Sequence, residues 1–128
     1  MNEEDLCTYE QALELKKLEF TYPTYYYIDE KNMGWYTTGD FINWNNGTGD
    51  IVSIPTLYQV QKWLRKEKNY HVNSSCIDKD IWYYAIDELT DNVVVARNDL
   101  EFSSYEKALS AGITECIKIL TNETTKTS

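Results

Sequence analysis

Apolar side chains recur at three- and four-residue steps in three stretches of the chain, which predicts three helices with one buried stripe each. All three open with a hydroxyl residue followed three positions later by Glu or Gln, a pairing that satisfies two otherwise orphaned backbone donors. Thr8 and Gln11 open the first, over Tyr9 to Leu18. Thr56 and Gln59, just after Pro55, open the second, with Leu57, Val60 and Leu64 on one face. Ser103 and Glu106 open the third, whose stripe runs through Tyr105, Ala108, Leu109, Gly112, Ile113, Cys116, Ile117 and Leu120. Glycine inside that stripe costs about 1 kcal/mol against alanine. Gly112 therefore marks a place where the helix crosses a sheet closely.

Between the helices, aromatic and β-branched residues cluster in short runs that predict strands. Thr24–Ile28 and Gly34–Thr37 flank a turn at Asp29–Met33 and form a hairpin. The polar stretch Gly39–Asp50 holds the turn signal Asn46-Gly47 and suggests a short second hairpin, Phe41-Ile42 against Ile51-Val52. Three further strands, Tyr70–Cys76, Ile81–Asp87 and Asn92–Arg97, have connections short enough for an antiparallel meander. The reading is an α+β fold, one domain over 1–128, in the order α-ββ-α-βββ-α with an antiparallel sheet packed by helices. Residues 1–6 and 121–128 are expected to be flexible termini.

Composition and charge narrow the function. With 128 residues, 42% of them hydrophobic, the chain can bury a core without a disulfide or metal staple. Its 12 basic and 21 acidic side chains give a net charge of −9, which repels phosphate backbones at long range. Nucleic acid is thus a disfavoured partner, and a basic protein surface a compatible one. No apolar run approaches the roughly 18 residues of a membrane span. The acidic start, Met1 to Leu6, is unlike an export signal, so a cytoplasmic protein is expected. Cys7, Cys76 and Cys116 are odd in number and lack metal-ligand spacing, which suits reduced thiols.

Candidate chemistry is sparse. No phosphate loop, dinucleotide fingerprint, nucleophile elbow or paired metal-ligand motif is present, so no cofactor, metal or catalytic residue is assigned and a non-enzymatic role is expected. His71, close to Ser74, Ser75 and Cys76, is the one histidine a nucleophile could use. The aromatic load of four Trp, eleven Tyr and three Phe is high. Trp35, Tyr36, Trp63 and Arg65 are the expected partner-binding residues, since aromatic and Arg anchors dominate protein interfaces. Lys62, Arg65 and Lys66, on the polar side of the second helix, form the alternative anion or nucleic-acid site.

From Pro55 to Leu120 the order α-β-β-β-α is similar to that of a double-stranded-RNA-binding domain. The basic start of that family's last helix is replaced here by Ser104-Tyr105-Glu106-Lys107, and its strand loop by Ile77-Asp78-Lys79-Asp80. These departures remove the expected RNA contacts.

More of the chain resembles another family. Thr8-Tyr9-Glu10-Gln11-Ala12-Leu13, Pro55-Thr56-Leu57 with Gln59-Val60 and Lys62-Trp63-Leu64-Arg65, and Tyr105-Glu106-Lys107-Ala108-Leu109 with Gly112-Ile113 look like motifs of short uncharacterised proteins of gut Bacteroidetes, their phages and mobile elements. The resemblance implies a phage or mobile-element context and no mechanism; taken with the acidic charge and the lack of catalytic motifs, the expectation is an accessory factor that binds a protein partner, as a monomer or small homo-oligomer. An acidic imitation of nucleic acid that occupies a defence protein is a further alternative. Glu19 stands where the resemblance implies a glycine before Phe20, which would lengthen the first helix or change its exit.

Overall fold

A computed structural model describes residues 3–47, 49–97 and 101–127, with side chains described as far as Glu123 in the last helix. Contacts gather into two compact units, Met1–Gln59 and Val60–Ser128, within what the sequence reads as one domain. The fold is α+β.

In the first unit, helix α1 (Tyr9–Lys17) begins with both halves of the predicted capping box. The Thr8 hydroxyl accepts from the Gln11 amide at 3.1 Å, and the Gln11 side chain accepts from the Thr8 amide at 2.8 Å. The helix does not run on at its other end. Phe20 N donates to Leu15 O and Glu19 N to Lys16 O, the paired reverse bonds of a Schellman stop. Glu19 fills the left-handed position of that motif, at φ 68°. Phe20, directly after it, is fully buried.

Three strands follow: β1 (Tyr26–Asp29), β2 (Gly34–Tyr36) and β3 (Ile51–Ile54), in the antiparallel order β2-β1-β3. Ile28, Val52 and Ile54 point to the core, and β1 lies between its partners. The expected hairpin of Phe41-Ile42 with Ile51-Val52 does not form. Ile42 instead makes an isolated bridge to Thr24, and β3 extends the first hairpin by pairing with β1. The predicted element order therefore holds, with β3 added before the second helix.

Helix α2 (Leu57–Glu67) also opens on its capping box, Thr56 with Gln59. The boundary between the units falls inside this helix. In the second unit β4 (Tyr70–Asp78), β5 (Ile81–Glu88) and β6 (Val93–Arg97) form the predicted meander, in the order β4-β5-β6. Helix α3 (Tyr105–Thr127) packs on β4 and β5. Its Ala108, Leu109, Ile113, Cys116, Ile117 and Leu120 are all buried, as the stripe requires.

Two details of α3 differ from expectation. Its cap is Ser104, whose hydroxyl accepts from Lys107 N, and not Ser103. The bridge of Phe102 to Trp82 holds the chain extended until just before that point, which moves the helix start one residue on. The polar end expected to be flexible continues the helix to Thr127. At the other terminus Leu6 is buried and bridges Thr56, after a single 3-10 turn at Glu3–Asp5. Met1, Asn2 and Ser128 lie outside the described residues.

Gly112 is the close approach its position in the stripe implies. A Cβ there would stand 2.7 Å from Val72 Cγ1 and 3.0 Å from Tyr84 Cβ. Tyr9-Glu10-Gln11-Ala12-Leu13 of α1 and Tyr105-Glu106-Lys107-Ala108-Leu109 of α3 share the pattern Tyr-Glu-x-Ala-Leu, but the two sheets differ in strand order. In the first unit the first strand is central, and in the second unit the second strand is.

Candidate functional site: an exposed aromatic edge

The β1–β2 hairpin is fixed from several sides. Asp29 pairs with Gly34 across a four-residue loop, and its carboxylate accepts from Lys31 N at 3.0 Å. The last loop residue, Met33, takes a left-handed conformation (φ 49°) that turns the chain into β2. Tyr9 on α1 donates its hydroxyl to Glu30 in this loop at 2.6 Å. That bond to a carboxylate holds the Tyr9 phenol above its ordinary pKa.

β2 is an edge strand, and its two aromatics face opposite sides of the sheet. Trp35 is paired with Ile28 and Tyr36 with Tyr27. Trp35 is 42% exposed, Tyr36 40% and the neighbouring Met33 52%. The Tyr36 ring stacks on Tyr27 at 5.6 Å, and Tyr27 packs against Trp44 at 4.2 Å. Trp44 is held in turn by donating its indole N–H to Thr24 O. Tyr36, Tyr27 and Trp44 thus form a continuous packed row beside the exposed edge.

Elsewhere in the same unit, a cavity of about 250 Å³ is walled by Leu6, Tyr25, Tyr26, Phe41 and Ile54. Thr56 and Gln59 complete it, but their polar atoms are occupied by the helix cap and by a bond from Gln59 Nε2 to Pro23 O. What remains is an apolar, aromatic recess that suits an apolar side chain. Phe41 on its wall is largely exposed. Neither the recess nor Met33 stands out in the sequence, because Phe41 lies in a polar segment with no period to assign its face.

The other sequence candidates lie in the second unit. Trp63 is 2% exposed and is therefore core, which corrects its expected place among the surface anchors. It widens the stripe of Val60 and Leu64, and Lys68 lies over its ring at 5.3 Å. Arg65 is half-buried, and Lys62 and Lys66 are exposed on the polar side of α2, as predicted. His71 and Cys76 sit five positions apart on β4, on opposite faces, about 16 Å apart along an extended strand. Ser74 donates its hydroxyl to Tyr105 O. These residues do not converge. Among the described residues, no group of three or more His, Cys, Asp or Glu is placed to hold a metal ion.

No family model, no curated protein and no solved structure matches the chain. Among the described residues, no helix is long and apolar enough to cross a membrane.

Proposed function

We propose that this is a non-enzymatic, cytoplasmic protein-binding accessory factor of phage or mobile-element kind, and that it engages its partner through the β2 edge. The observation that carries the reading is the exposure of Trp35 and Tyr36 on both sides of an edge strand. Large aromatics of this sort supply contact area at little rotamer cost and are favoured anchors in interfaces. The net charge of −9 supports a partner with a basic surface, because opposite potentials steer association and disfavour wrong partners.

Affinity capture of partners by the full chain tests the class of partner. The bait meets lysate of the organism that encodes it, with nuclease added to half the samples. A protein recovered at equal amount in both arms, and released by raised salt, is the expected result. Capture that disappears with nuclease would replace the proposal with nucleic-acid binding through Lys62, Arg65 and Lys66. An acidic mimic of nucleic acid would lose capture on reversal of several carboxylates while tolerating loss of Trp35.

A further inference from the structure

The outer strand of the second sheet is unusual in presenting three consecutive valines. Val93, Val94 and Val95 are 48%, 48% and 43% exposed. Neighbouring residues of a strand point to opposite faces, so an ordinary half-buried strand would hide at least one of them. Among the described residues β6 pairs with β5 on one side only, and α3 packs on β4 and β5. The register shift opposite Ile86 and Asp87 gives β6 one more residue than its partner, while Val93–Arg97 remains a strand throughout.

The two ends of this edge carry opposite charge. At the start stands the acidic turn of the β5–β6 hairpin, with Glu88 and Asp91. Glu88 accepts from the amides of Thr90 and Asp91 at 2.8 and 2.9 Å, and those donors hold its carboxyl below the usual carboxylate range. At the far end stands exposed Arg97. The strand is therefore complementary to itself when reversed.

We infer that β6 is the contact surface for a second copy of this chain, joined edge to edge and antiparallel about a twofold axis at Val94. In that register Val94 faces its own copy, and each Arg97 arrives at the acidic turn of the other chain. The contact is isologous and closes at two copies. An unprotected apolar edge is otherwise a liability that proteins cover or charge. Here a second copy covers it, and the end charges select the antiparallel direction.

Sedimentation velocity on the full chain across a concentration series tests this. The expected result is a monomer–dimer equilibrium with no larger species. Val94→Lys, which sets two ammonium groups face to face on the axis, should leave only monomer. Asp91→Lys and Arg97→Glu should each weaken the homodimer, and an equimolar mixture of the two should recover dimer, because each basic end then meets an acidic one. All three positions are exposed, and unchanged far-ultraviolet circular dichroism confirms that the variants fold. A wild-type chain that stays monomeric at all concentrations overturns the proposal. So does a dimer that Val94→Lys leaves intact, or a mixture that shows no recovery.

Discussion

Replacing Gly112 by alanine sets two well-understood effects against each other. Helix propensity favours alanine by about 1 kcal/mol in a helix interior. Packing opposes it: the new Cβ would lie 2.7 Å from Val72 Cγ1 and 3.0 Å from both Cβ and Cγ of Tyr84. Carbon atoms in good contact stand about 3.5–4.0 Å apart, so the overlap approaches 1 Å on one side. Val72 is fully buried and Tyr84 Cβ is fixed to the central strand, so neither can swing aside. Overpacking of this degree costs about 1–3 kcal/mol. Packing wins, and Gly112→Ala should lower stability by about 1 kcal/mol net, with Gly112→Val worse. Urea unfolding followed by circular dichroism measures the change, with Lys118→Ala as an exposed control on the same helix. In a Val72→Ala background, which removes the nearest methyl, the alanine at 112 should cost less, and the double-mutant cycle should show that coupling. A stabilised Gly112→Ala, at the full value of its propensity, would refute the close approach.

Four smaller predictions follow the same logic. Glu19→Gly should stabilise the chain by about 1 kcal/mol in thermal unfolding, because a side chain in the left-handed region is disfavoured by roughly that amount and glycine is not. Thr8→Ala should cost about 1 kcal/mol by breaking a two-way cap. A thiol reagent should titrate one cysteine in the native protein and three after unfolding, since Cys76 is exposed and Cys7 and Cys116 are buried. The last concerns alkaline pH. Burial pushes the Cys116 thiol up to about 12 and also raises those of Cys7 and of the Tyr70 phenol, the latter aided by its bond to Glu123. Their folded states hold protons that the unfolded chain releases from about pH 8.5 for thiols and 10 for tyrosine. Stability from these groups is thus complete below about pH 8.5 and falls as the pH rises toward 12, and Cys116→Ala should flatten that fall in urea midpoints taken from pH 7 to 11.

The helices were legible because their signals are local. Thr8–Gln11 and Thr56–Gln59 are each complete within four residues, and both boxes form. The meander was legible for the same reason, its strands being joined by turns too short for any other pairing. β3 was not. Ile51–Ile54 could have paired with several segments, and the choice of β1 over Phe41-Ile42 depends on contacts more than twenty residues away. Ser103 and Ser104 both offer a cap, and the bridge of Phe102 to Trp82 selects the second. At the site, Trp35 and Tyr36 were marked by residue type and hairpin position. Trp63 was misplaced because its angle on the helix wheel lies at the margin of the stripe, where the width of the buried face decides. The run Val93-Val94-Val95 lacks the alternation of a one-sided strand, a signal that suits either complete burial or an uncovered edge.

The proposed function has a protein partner held by the aromatic edge of the first unit. Trp35→Ala with Tyr36→Ala removes that edge while leaving the buried core residues Ile28, Val52 and Ile54 in place. The measurement is quantitative affinity capture with wild type and this double variant side by side, normalised to thermal unfolding of each bait. The expected result is a midpoint of unfolding little changed and a captured partner reduced at least tenfold. Equal recovery of the same partner by a folded double variant would contradict it.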